Sequence, residues 1–173
     1  MNEAMKNLLT RRSVRKYKPE QITDEELRAV LEAGTYAPTA RCTQSPLIVA
    51  VQNAEDIALM SRLNAAVWGR ADFDPFFGAP TVVVFAQAGN VNGVQDASLV
   101  MGNLLNAAHA LGLGSCWINR AREVFEMPEG KALLKKWGVE GDWVGVGNCI
   151  LGYADGPEPK PAPRRPDYYR IIK

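Results

Sequence analysis

Ala97, Val100, Met101, Leu104, Leu105, Ala108 and Leu111 recur at three- and four-residue steps between Val94 and Leu111. That is the period of a single helix face. The face is wide and made of small and medium side chains, and Gly112 stands where a helix would end. Such a helix has to be covered on more than one side, which places it inside a layered fold. The covering elements are visible in its flanks. Leu47–Val51, Thr81–Ala86, Ser115–Ile118 and Trp143–Leu151 are apolar runs of strand length without polar alternation. Strands of that kind are buried on both faces of their sheet. Further helices are expected over Asn2–Thr10, carrying Met5, Leu8 and Leu9 inward, and over 55–67 and 128–137. Thr23 and Glu26 form a capping box for another, with Leu27, Val30 and Leu31 as its stripe and Gly34 placed to end it. The expectation is one domain over residues 1–173, since that length suits one core and not two.

Composition removes several functional classes. Twenty Lys and Arg against nineteen Asp and Glu leave a formal charge of +1, so no basic field gathers nucleic acid. No apolar stretch is long enough to cross a bilayer, and Met1–Lys6 lacks a signal-peptide core. A cytoplasmic protein with neither nucleic-acid nor membrane partner is expected. Cys42, Cys116 and Cys149 are widely spaced and His109 is the lone histidine, too few ligands for a structural zinc site. No metal site is expected. His109, among alanines on the long helix, reads as a side chain satisfied by its neighbours and not as a proton donor.

Two segments stand apart from the core pattern. Arg11, Arg12, Ser13 and Arg15 put three fixed cations and a hydroxyl within five residues directly after a helix. Guanidinium groups grip phosphate oxygens in a bidentate fork. At the other end, Pro157, Pro159, Pro161, Pro163 and Pro166 keep the chain extended before Tyr168, Tyr169, Ile171 and Ile172. Residues 152–173 are therefore expected to form a proline-rich arm laid across a neighbouring subunit. Neither a Walker loop nor a complete G-x-G-x-x-G is present.

The basic stretch Arg11–Tyr17, the loop Ala37–Pro46, the run Gly112-Leu113-Gly114-Ser115-Cys116-Trp117-Ile118 and the late pair Arg164-Arg165 occur in an order that resembles the FMN-dependent nitroreductase family. The likeness runs from Asn7 into the tail, in a short form without the insertions of larger members. The resemblance implies an α+β sandwich with a central, mainly antiparallel sheet flanked by helices, in an interlocked homodimer with FMN at the interface. It implies an oxidoreductase that passes hydride from NADH or NADPH through flavin N5 to a nitroaromatic, quinone or similar acceptor, by a ping-pong mechanism. No protein side chain need be catalytic, because the cofactor carries the hard chemistry.

By the same resemblance, Arg11, Arg12, Ser13 and Arg15 would hold the FMN phosphate and the pyrimidine edge of the ring. Pro38, Thr39, Ala40 and Cys42 would approach from the other subunit, with Gln44 close by. Trp117, Ile118 and Asn119 would pass behind the ring, with main-chain groups of Asn119 or Arg120 near N5. Arg164 or Arg165 would return to the phosphate, and Asn64 would make a polar flavin contact. Cys42 stands where relatives usually carry Asn or another polar residue, which weakens one hydrogen bond there. The aromatic segment with Trp68, Phe73, Phe76 and Phe77 is either a lid or ordinary packing. Two other functions stay open: specialised flavin chemistry such as flavin cleavage or dehalogenation, and a non-catalytic FMN-binding regulatory module.

Overall fold

Four strands make one wholly antiparallel sheet in the order β1-β2-β4-β3. They are β1 (Leu47–Val51), β2 (Thr81–Gln87), β3 (Gly114–Ile118) and β4 (Trp143–Gly152). The computed structural model describes the backbone of residues 1–173 and every side chain except those of 81–83. A bulge between Val84 and Phe85 shifts the register of β2 against β4. Side chains alternate across the sheet as the pleat requires. Val84, Ala86, Cys149 and Leu151 enter one core, whereas Phe85, Ile150, Cys116 and Ile118 enter the other.

Helices cover both faces, as the unbroken apolar strands predict. One layer holds α2 (Asp24–Thr35) and α4 (Gly93–Ala110); the opposite layer holds α3 (Ala54–Trp68), α5 (Ala121–Glu126) and α6 (Pro128–Lys136). The remaining helix, α1 (Glu3–Thr10), packs on α4 through Asn7 Nδ2, which donates to the Asn106 carbonyl at 3.0 Å. The chain is an α+β sandwich. Its middle helix is α4, with Ala97, Val100, Met101, Leu104 and Ala108 buried. The Leu113 N–H closes the end of α4 on the Ala108 carbonyl at 2.8 Å, around Gly112 at φ 76°.

The sequence expectations need correction in places: Met5, Leu8 and Leu9 do not turn inward but are exposed, because α1 lies on the surface of the sandwich and buries none of its residues. Gly34 does not end α2 but lies inside it and is buried. A Cβ there would stand 2.7 Å from Leu104 Cδ2 and 3.0 Å from Ile48 Cδ1, so glycine serves close approach of α2 to α4. The six-residue α5 is too short to show a helical period in the sequence. Ala121, Val124 and Phe125 are nevertheless buried at the spacing of one face. Among the described residues no helix is long and apolar enough to cross a membrane.

Candidate functional site: a basic cleft and a braced turn

The segment after α1 is fixed along β3, an edge strand of the sheet. Ser13 bridges Ser115 in parallel, with the Val14 N–H on the Ser115 carbonyl at 3.0 Å. Further on, Tyr17 bridges Ala154, and Lys18 N–H reaches the Tyr153 carbonyl at 2.9 Å. Two paired glycines make room for this strap. A Cβ on Gly114 would meet Val14 Cγ1 at 3.0 Å, and one on Gly152 would meet Tyr17 Cδ1 at 2.8 Å. Burial pushes the Tyr17 phenol well above its usual range, and it stays a donor, to the Val14 carbonyl at 2.8 Å.

The strap carries the arginines to a cleft of about 590 Å³ lined by Leu8, Leu9, Arg11, Arg12, Ser13, Pro161, Ala162 and Arg164. First and last segments of the chain therefore meet there. The arginines are not equivalent. Arg11 Nη1 is buried with no hydrogen-bond partner among the described residues. Arg12 Nη1 folds back on the Leu9 and Arg11 carbonyls at 2.9 and 2.7 Å, closing the end of α1. Arg15 is exposed. Of the late pair, Arg164 lines the cleft, whereas Arg165 pairs with Asp167 at 3.1 Å.

A second cluster surrounds the turn after β3. Asn64, fully buried on α3, donates Nδ2 to the Asn119 carbonyl at 2.8 Å. Asn148, on β4, donates Nδ2 to the Ile118 carbonyl at 3.3 Å. Two buried amides thus brace consecutive carbonyls, and Arg120 follows in a left-handed conformation at φ 73° to start α5. Asn64 supports the turn from behind, and Asn148 does the same without having been singled out in the sequence. An asparagine in the middle of an apolar strand was the signal available. Trp117, on β3, has its side chain on the α4 side of the sheet, while Ile118 is buried on the other.

The loop with Pro38, Thr39, Ala40, Cys42 and Gln44 lies apart from the basic cleft. Its Ala40 N–H donates to Asp96 Oδ1 at 3.0 Å, near the start of α4, and Gln44 N–H donates to Thr39 Oγ1 at 3.0 Å. The cleft instead lies beside the far end of α4, where α1 docks. The anchor points Asp96 and Asn106 are about 15 Å apart along the helix. Within one chain the structure does not bring the loop and the arginines together. Arg41, Cys42 and Gln44 all have positive φ, at 56°, 56° and 49°. Such a cluster of left-handed residues is a strained loop of the kind found at binding sites.

His109 behaves as the sequence suggests. Thr10 Oγ1 donates to the Lys6 carbonyl at 2.8 Å, so the imidazole Nε2–H donates to Thr10 Oγ1, also at 2.8 Å. The aromatic segment divides: Phe76 is core, whereas Trp68 is 39% exposed and meets Phe73 edge-to-face, as Phe73 in turn meets Phe77.

An antiparallel sheet between two helical layers, with arginines from both chain ends lining one cleft, defines an α+β sandwich suited to an anionic ligand. The nitroreductase family model matches residues 8–153, and the chain belongs to that family. An Archaeoglobus fulgidus protein provisionally named NADH dehydrogenase/NAD(P)H nitroreductase is 33% identical, over 88% of this chain and 86% of its own. The NADPH-flavin oxidoreductase of Vibrio harveyi is 28% identical, over 93% of this chain and 70% of its own. The crystal structure of a Bacteroides fragilis nitroreductase with bound FMN superposes with a TM-score of 0.91 at 27% identity, over 100% of both chains.

Proposed function

We propose that this chain is an FMN-dependent NAD(P)H oxidoreductase, working as a homodimer and reducing nitroaromatics, quinones or similar small acceptors by a ping-pong mechanism. The observation that carries it is the set of buried side-chain atoms without partners. Among the described residues these are Arg11 Nη1, Asn64 Oδ1, Asp96 Oδ2 and Asn148 Oδ1. Each belongs to the cleft, the braced turn or the anchor of the 38–44 loop. A buried polar group left unpaired costs about 1–3 kcal/mol, so its presence marks a place where a ligand or water completes the pairing.

The residues fit FMN. Arg11 and Arg164, with Ser13 as a neutral donor, would hold the phosphate, since a dianion calls for more than one cation. Arg12 would add charge through the donors it does not spend on α1. Arg15 would sit toward the pyrimidine edge, where a cation favours the reduced ring. Asn64 and Asn148 hold the Ile118 and Asn119 carbonyls, which leaves the main chain of Asn119 and Arg120 to face the flavin. Trp117 would back the ring. When bound, FMN supplies a ring system that accepts hydride from a nicotinamide and hands it to an acceptor.

The loop with Pro38, Thr39, Ala40, Cys42 and Gln44 completes the pocket only from a second subunit, in keeping with its distance from the arginines of its own chain. Purified protein should show flavin absorption that bleaches on anaerobic addition of NADH or NADPH. With donor and acceptor both varied, double-reciprocal plots should be parallel. Protein that takes up no FMN, or whose flavin spectrum persists with both nicotinamides, would remove this function.

A further inference from the structure

Arg70 and Arg120 converge on one indole from two different elements. Gly69 ends α3 at φ 74°, with its N–H on the Ala66 carbonyl at 2.9 Å and the Arg70 N–H on the Ala65 carbonyl at 3.0 Å. Arg70 therefore departs from a fixed backbone. Arg120 does as well: its carbonyl accepts the Val124 N–H at 3.1 Å, and the carbonyl before it is held by Asn64. Their guanidinium carbons stand 5.0 and 4.4 Å from the centroid of the Trp68 ring, and that of Arg70 is also 5.1 Å from the Phe73 ring.

Stacking on an aromatic face orients a guanidinium without consuming its N–H donors. Among the described residues neither group makes an ion pair with a carboxylate. Asp74, close by in sequence, is committed elsewhere: its carboxylate accepts from Ser61 Oγ at 2.6 Å, Phe76 N–H at 2.9 Å and Gly78 N–H at 2.6 Å. Two cations held over one ring lie within about one Debye length, ~10 Å, and repel each other. An anion that both guanidinium groups reach at the ring would relieve that repulsion and take up their free donors. The ring brings the pair to the turn on which Asn119 and Arg120 sit.

We propose that Arg70 and Arg120, oriented by Trp68, form an anion clamp at the rim of the flavin pocket that selects substrates bearing a phosphate or carboxylate. This rests on the flavin function above, because Asn119 and Arg120 are assigned to the flavin there. Two sources present the same chemistry: the 2′-phosphate that distinguishes NADPH from NADH, and a carboxylate on the acceptor.

The experiment compares kcat/KM ratios in the FMN-loaded wild type, R70A and R70K, for NADPH over NADH and for 4-nitrobenzoate over nitrobenzene. Calorimetric titration with 2′,5′-ADP and with 4-nitrobenzoate reads binding without turnover. At least one ratio should fall about 5- to 10-fold in R70A, with a matching loss of affinity for the corresponding probe, and R70K should lie between. A fall confined to the first ratio assigns the dinucleotide phosphate; one confined to the second assigns the acceptor. In the wild type the same ratio should decline as sodium chloride rises, a check that needs no variant. Ratios and affinities unchanged in R70A, or a wild-type selectivity indifferent to salt, would overturn the clamp. Protein that takes up no FMN yet binds a probe through Arg70 would refute the flavin function and leave the clamp standing.

Discussion

Arg11 has a buried donor without a partner among the described residues, whereas Arg165 is already paired with Asp167 and stacked over Tyr168 at 5.6 Å. The two arginines should therefore respond differently to truncation. Replacing Arg11 with Ala should weaken FMN binding about 10- to 100-fold, the range of a charge-assisted hydrogen bond, while R165A should change it less than about twofold. Quenching of FMN fluorescence on titration measures both, and equal losses would contradict the division of labour. At the same scale, Gly34→Ala places a methyl against Leu104 and Ile48. Its expected cost is about 1–3 kcal/mol of overpacking, read from urea denaturation; a neutral result would mean that Leu104 changes rotamer freely.

Between elements, one polar contact ties α3 to α6. Asp56 is 5% exposed and accepts from Lys136 Nζ at 2.6 Å and from the indole N–H of Trp137 at 2.8 Å. The Lys136 hydrogen bond, then that of Trp137, hold the Asp56 carboxyl below the usual range. A lowered folded value means that the stabilisation is complete above the unfolded value of about 3.9. It is lost as pH falls through the folded value, because the unfolded chain then binds the extra proton more readily. In D56N the neutral-pH stability should drop by about 1–3 kcal/mol, and the acid limb of the stability curve should flatten in that window. A limb as steep as in the wild type would show that other carboxylates set it.

Such cross-element contacts are where the sequence is mute. The strands and α4 were legible because burial on both faces and a repeated apolar period leave a long pattern. So was the basic stretch, because charge density is local. Gly34 looked like a helix end because glycine serves both as a stop and as a space-saver, and only the position of Leu104 distinguishes the two. The bracing of Ile118 and Asn119 needs Asn64 and Asn148, which are far apart in the chain and meet only through the sheet. The split between Arg164 and Arg165 depends on the path of the tail, which no local pattern dictates.

For the molecule as a whole, exposure is the telling quantity. The chain presents 10840 Å², against about 8,300 Å² for a compact monomer of 18.9 kDa, an excess of about 2,500 Å². The excess is apolar in part: Leu8 and Leu9 on α1 are 58% and 56% exposed, and Ile172 in the tail is 89% exposed. A standard interface buries about 800 Å² per partner, so the proposed homodimer accounts for surface that a monomer would leave wet. Sedimentation should give twice the chain mass. Removing residues 157–173 takes away Arg164 along with the tyrosines and isoleucines, and should weaken dimerisation and FMN retention together. A truncated chain that stays dimeric and holds FMN as tightly as the full one would show the arm to be dispensable.

The strap that carries Arg11 to Ser13 has a consequence for biosynthesis. Ser13 is held by Ser115, and Tyr17 by Ala154, so this segment waits for about a hundred further residues or more to be made before its partners exist. At about 5–20 residues per second, that delay is on the order of ten seconds. Until β3 and β4 emerge, the arginines are solvated and have no edge to lie along. The proposed phosphate site cannot assemble before then and forms late in folding. Free FMN would then act on a nearly finished chain, capturing the closed strap and slowing its reopening without guiding the early collapse.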